Sequence, residues 1–199
     1  SYRSVFGKAI DYDGGEYGNA VLYKGVLLGK AVVPLAGEEE ARSMLVLEFA
    51  DYYVATCHLS LDYESRLSSC YTIRETIQDI LSGKFKVDGN RVFSGKDKPF
   101  YLTGDFNATP ESKEIFVVQK SFYWLSKSNS NTFPSNKPNQ LLDYIFLYKN
   151  KSGEKLMKDF EKQKKGLACW VQPEVMASDH RPVIMTVISG SEFVVEEQQ

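Results

Sequence analysis

The first 57 residues break into short β-branched and aromatic runs separated by turn residues, and the apolar period then changes once. The runs lie at 4–10, 19–23, 26–33, 43–49 and 52–57. The punctuation between them is Asp13-Gly14-Gly15, Lys24-Gly25, Ala36-Gly37 and Ala50-Asp51. A chain interrupted this often is built to make sheets joined by tight turns. Segments 19–23 and 26–33 are expected to pair as one hairpin across a two-residue turn, and 43–49 with 52–57 as another.

Over 64–81 the spacing becomes helical. Leu67, Cys70, Tyr71, Ile77, Ile80 and Leu81 recur at intervals of three, four and seven. Asp62 is placed to cap this helix, and Gly83 stands where a helix end favours glycine. Residues 84–98 read as a polar loop and 99–103 as a buried strand. A short helix is expected from Pro110, at its favoured first position, to about Val118. Residues 127–140 read as loop, 141–148 as an apolar strand, and 150–166 as a solvated helix. Strands follow at 167–175 and 182–188. The expected organisation is a single domain over 1–189 and an acidic tail over 190–199. Many strands on short turns with few helices imply helices packed outside largely antiparallel sheets.

Composition narrows the function. The 199 residues are 43% hydrophobic and 25% charged, enough for one substantial core. No apolar run is long enough for a transmembrane helix. A formal net charge of -2 argues against a protein that holds nucleic acid on a broad basic surface. The three cysteines, Cys57, Cys70 and Cys169, have no metal-ligand spacing and read as core thiols.

Chemistry-bearing residues gather at strand ends. His58 follows the fifth run, and Asp105 and Asn107 follow the strand at 99–103. Asp143 sits among Leu141, Leu142, Tyr144, Ile145 and Phe146, and Asp179-His180 precedes the last strand. Gly104-Asp105-Phe106-Asn107 also reads as a plain turn, and Asp179-His180 as a surface pair. Asp143 is harder to place on a surface, because a carboxylate in so apolar a run is partly buried and requires a partner. Consecutive residues of an extended chain point to opposite sides, so Asp179 is poorly placed to bond His180.

Taken in order, these clusters resemble the endonuclease/exonuclease/phosphatase superfamily of metal-dependent phosphoesterases. The segments that carry the resemblance are Tyr17-Gly18-Asn19-Ala20-Val21-Leu22, Ala55-Thr56-Cys57-His58-Leu59 with Arg66, and Tyr101-Leu102-Thr103-Gly104-Asp105-Phe106-Asn107. Thr132-Phe133-Pro134 leading to Leu142-Asp143-Tyr144-Ile145-Phe146, and Ser178-Asp179-His180-Arg181-Pro182-Val183, complete it. The resemblance implies an α/β four-layer sandwich, two mixed, mainly antiparallel sheets with helices outside. It implies hydrolysis of a phosphomonoester or phosphodiester by activated water, with Mg²⁺ or Mn²⁺. It assigns Asp105 and Asn107 to positioning the water and the scissile phosphate, and His58 to a phosphate oxygen. His180 becomes the catalytic histidine, Asp143 its orienting carboxylate, and Asp179, with Asp105, a metal-side ligand. Whether Asp105 or His180 takes the proton from water is left open.

The family pattern also includes an N-terminal strand-helix-strand unit ending in a metal-binding Glu, and residues 1–10 resemble the segment after it. An N-terminally truncated sandwich is therefore expected, with weakened metal binding and an exposed sheet favouring self-association. A signal peptide ahead of that unit would make an exported protein. The expected substrates are small or lipid-linked phosphoesters, such as a phospholipid head group, or single-stranded nucleic acid, in preference to duplex DNA. The alternative is a non-catalytic remnant acting as a binding module.

Overall fold

The structure is a computed structural model that describes residues 1–127, 130–163 and 166–187. The expected tail at 190–199 lies outside the described residues. The chain opens with β1 (Arg3–Tyr12), β2 (Gly15–Tyr23), β3 (Gly29–Leu35), β4 (Arg42–Glu48) and β5 (Tyr53–His58). Helix α1 (Tyr63–Leu81) follows, then the two-residue strands β6 (Lys86–Val87) and β7 (Asn90–Arg91). Next come β8 (Phe100–Asp105), α2 (Lys113–Ser121), β9 (Phe122–Trp124) and β10 (Asp143–Tyr148). The described part ends with α3 (Lys151–Gln163), β11 (Leu167–Val171) and β12 (Val183–Val187).

The centre is a six-stranded mixed sheet in the order β3-β4-β5-β8-β10-β9. Its one parallel pair is β5 with β8, which α1 connects. Period-2 alternation gives this sheet two apolar faces. Met44, Val46, Tyr53, Ala55, Phe100, Leu102, Tyr144 and Phe146 belong to one core with Ile73, Ile77 and Ile80 of α1 and Ile115 and Val118 of α2. On the other face, Leu45 and Leu47 pack with Val5 and Val21 of the β1–β2 hairpin. Ile145 and Leu147 pack with Leu156 and Met157 of α3 and Val183 and Met185 of β12. The result is the expected α/β sandwich. Its second layer of strands consists of two separate hairpins, β1–β2 and β11–β12. A cleft of about 870 Å³ with Val54, Tyr101 and Ile145 in its lining lies between them.

Several local expectations are corrected. Segment 19–23 does not pair with 26–33; β2 pairs with β1, and β3 with β4. The deciding turn is Asp13-Gly14, where both residues have positive φ, 47° and 76°. That is the geometry whose twist suits a tight antiparallel hairpin. The second expected hairpin, β4 with β5, is observed. The short helix begins at Lys113 and not at Pro110, because the Ser112 side chain accepts from the Ile115 N–H and caps it. The loop expected at 84–98 contains the β6–β7 ladder, and β9 lies between α2 and the loop expected at 127–140. Strand β11 ends at Val171. Helix α1 is as expected, with the Asp62 carboxylate accepting from the Ser65 N–H and Gly83 at φ 71°. Among the described residues no helix is long and apolar enough to cross a membrane.

Candidate active site

The register of three neighbouring strands assembles the site. Asp105 ends β8, His58 ends β5 beside it, and Asp143 begins β10 on its other side. One sheet edge therefore carries three polar side chains from distant parts of the sequence. Gly104 makes the edge possible. Its φ is 136°, and a Cβ built there would lie 1.9 Å from the Cys57 carbonyl oxygen of β5. Gly104→Ala is thus expected to separate β5 from β8 and to destabilise the protein by roughly 3 kcal/mol, read from the denaturant midpoint.

His180 arrives from the loop before β12. The Arg181 N–H donates to the Thr132 carbonyl and the Arg181 Nε to the Ser135 carbonyl. The Ser135 N–H donates to the Asp179 carbonyl at 2.6 Å, and the Ser135 hydroxyl to the Ser178 carbonyl. The Phe133 ring lies 4.7 Å from the His180 ring, centroid to centroid. These contacts hold His180 Nδ1 2.8 Å from Asp143 Oδ2. Its Nε2 faces Asp105 Oδ2 at 3.7 Å, and His58 Nε2 approaches the same oxygen at 3.5 Å. Asp105 is therefore flanked by two imidazoles.

The surroundings set the proton affinities. Burial pushes the Asp105 carboxyl up to about 6, and the Asp143 charge adds to the rise against the Asn107 N–H donated to Oδ1 at 2.8 Å. His58 is held below the ordinary imidazole value by burial and by the positive charge of Arg42. Burial also pulls His180 down, but the hydrogen bond and charge of Asp143, with Asp105 and Asp179, outweigh it and leave the ring raised.

Each residue singled out in the sequence can now be placed. His58, Asp105, Asp143 and His180 come together. Asn107, at φ 47°, bonds Asp105 through its N–H and the Leu59 carbonyl through its side-chain amide. Asp105, Asp143 and His180 offer ligand atoms within 4.8 Å of one another. Asp179 is not in that group; its carboxylate lies 3.4 Å from the Ser178 hydroxyl. Two contributors carried no assigned role in the sequence reading. The Tyr17 hydroxyl lies 3.1 Å from His58 Nδ1. Arg42 is buried with Nη2 on Glu39 and Glu40 at 2.8 and 2.9 Å, while its Nε and Nη1 find no hydrogen-bond partner among the described residues. An arginine opening a strand with the apolar centre Met44–Leu47 is the sequence signal for the latter.

The chain is thus an α/β sandwich whose central strand ends present an Asp between two histidines, one of them backed by a second Asp. The sequence model of the Endonuclease/Exonuclease/phosphatase family matches residues 2–180, and the chain belongs to that family. Its fold is similar to that of the mannosyl-6-phosphatase of Bacteroides thetaiotaomicron, at 17% identity and a TM-score of 0.64, over 95% of this chain and 77% of that one. It is also similar to the human Nocturnin catalytic domain, at 16% identity and TM-score 0.57, over 93% and 72%. TDP2 of Caenorhabditis elegans gives 13% and 0.59, over 94% and 58%. No curated protein matches the chain.

Proposed function

We propose that the chain is a divalent-metal-dependent phosphoesterase that hydrolyses a phosphomonoester or phosphodiester by activated water. The observation that carries this reading is Asp105 held between His58 and His180, with Asp143 on the far nitrogen of His180. The Asp105 carboxylate, with a second carboxylate within 4.8 Å at Asp143, suits a hard, oxygen-seeking cation that keeps several of its waters. Asp105, with Asp179 as the further ligand proposed from the family resemblance, would hold Mg²⁺ or Mn²⁺. When bound, the ion supplies charge neutralisation at the phosphoryl oxygens and a more acidic water.

The remaining work falls to the chain's own side chains. Asp143 fixes the His180 proton on Nδ1, so Nε2 is free to hold a proton taken from water. Asp105, with its raised proton affinity, is the second proton acceptor at the same point. Asn107 holds Asp105 in place through its N–H and marks the phosphate side of the site. His58 presents Nε2 to a phosphoryl oxygen. Buried Arg42 adds a positive charge that bears on both His58 and Asp105 and favours an anionic group between them. The net charge of -2 favours a small or lipid-linked phosphoester, or single-stranded nucleic acid, over duplex DNA.

The test is hydrolysis of bis(p-nitrophenyl) phosphate and p-nitrophenyl phosphate with Mg²⁺ or Mn²⁺, beside a Mn²⁺ titration followed by electron paramagnetic resonance. Turnover that EDTA removes, together with loss of both turnover and Mn²⁺ binding in Asp105→Ala, is the expected result. Turnover that survives EDTA or Asp105→Ala overturns it. Mn²⁺ binding without any turnover moves the reading to a binding module.

A further inference from the structure

Each of the two histidines at Asp105 is approached on Nδ1, the nitrogen away from Asp105, by a group of different hydrogen-bonding character. Asp143, an acceptor when ionised, lies on Nδ1 of His180. Tyr17, whose hydroxyl carries a proton to give, lies on Nδ1 of His58 at 3.1 Å. We propose that Tyr17 is a positioning residue that donates to His58 Nδ1 and so holds His58 as a neutral ring with its proton on Nε2, facing Asp105.

Both sides of the His58 ring agree with this assignment. An ionised Asp105 is an acceptor 3.5 Å from Nε2, and the Tyr17 hydroxyl can donate to Nδ1, where no stronger acceptor competes, so the two neighbours together favour the proton on Nε2. The lone pair is then on Nδ1, where the Tyr17 hydroxyl meets it. The separation to Asp105 is longer than a strong hydrogen bond, so the Nε2 proton stays available to an incoming oxyanion.

Tyr17 is held for this task. It belongs to β2, and Asn19, two residues on and therefore on the same face, donates to the Ser43 carbonyl of β4 at 2.8 Å. The hairpin is thereby tied to the six-stranded sheet at Ser43, next to Met44, which pairs with Cys57, the residue before His58. The rings of Tyr17 and His58 meet edge to face with centroids 6.4 Å apart, and the Tyr12 ring lies 6.2 Å from that of Tyr17. One imidazole at Asp105 is thus set to donate and the other to accept. The catalytic meaning of that division rests on the phosphoesterase reading; the proton arrangement itself does not.

The sequence holds only two histidines, so long-range proton–nitrogen correlation spectra of the ¹⁵N-labelled protein resolve both rings, and His180→Gln assigns them. At about pH 8, above the ordinary imidazole range, His58 is expected to show a protonated Nε2 and a hydrogen-bonded, unprotonated Nδ1. His180 is expected to show the reverse tautomer. In Tyr17→Phe, which keeps the ring, the His58 Nδ1 resonance should move to the position of a free lone pair. If the protein turns over phosphoesters, kcat should fall about tenfold with KM little changed, the loss of one hydrogen bond acting through the charge that develops at the phosphate. A proton on His58 Nδ1 in the unaltered protein overturns the proposal, and so does an Nδ1 resonance indifferent to Tyr17→Phe. The expected spectra in a protein without turnover leave the Tyr17 pairing standing and remove the phosphoesterase reading.

Discussion

His180→Ala is expected to lower phosphoester turnover by about 10³-fold, inside the range for removal of a positioned acid or base. Asp143→Asn should do much of the same damage without touching the reacting atoms, by about 10²-fold. An ionised Asp143 accepts the Nδ1 proton at 2.8 Å, whereas an amide can turn its NH₂ toward that nitrogen and push the proton to Nε2. His180 then presents a proton where the reaction needs a lone pair. The direction of the pH shift separates this from general damage. Asp143 is what keeps the His180 proton affinity raised against burial. Without its charge the imidazole loses its proton at lower pH, so the rising limb of the pH–rate profile should move toward acid. A variant with reduced rate and an unmoved limb would assign Asp143 a purely structural part.

Much of this constellation was legible in the sequence, and the reason is physical. Polar residues that interrupt apolar strands need partners, so Asp143, His58 and the Asp105–Asn107 run advertised a shared site. Their order along the chain then carried the family resemblance. The helix α1 was equally plain, because its cap and its apolar period agree. The first hairpin was misread because two turn signals competed. Only backbone geometry separates Asp13-Gly14, with both φ angles positive, from the longer connection through Lys24-Gly25. Pro110 and Ser112 posed the same kind of choice, settled by a side chain that bonds the Ile115 N–H. Arg42 and Tyr17 had no such advertisement. Their importance comes from tertiary neighbours, Glu39 and Glu40 for one and His58 for the other, and a single sequence does not show which distant residues meet.

The buried ion pair beneath β4 is the extreme case of that blindness, and it carries the largest expected effect on stability. Lys98 read as the end of a polar loop and Glu48 as the end of a strand. In the structure Lys98 Nζ lies 2.7 Å from Glu48 Oε1, with side chains only 9% and 2% exposed. The ammonium also donates to the Phe49 carbonyl, and the Ser94 N–H and hydroxyl both bond the Glu48 carboxylate. Tyr53 completes the cluster, its hydroxyl on Ser94 and its ring 5.2 Å from Nζ. Lys98→Met is expected to cost about 3–5 kcal/mol at neutral pH, because it strands a carboxylate away from water. The pH dependence should change sign with it. Burial alone would raise the Glu48 carboxyl, but Lys98 and Ser94 outweigh burial and hold it below the ordinary value of 4.5. In the unaltered protein that stabilisation is complete above the ordinary value and is lost as pH falls through the depressed folded one. Without Lys98 the burial dominates, the folded carboxyl binds its proton more readily than the unfolded chain, and stability falls as pH rises. Denaturant unfolding at about pH 7 and about pH 4, on either side of this range, should therefore show the defect of Lys98→Met shrinking in acid. Equal losses at both values would mean that Lys98 acts by packing its chain over Tyr53 and not through its charge.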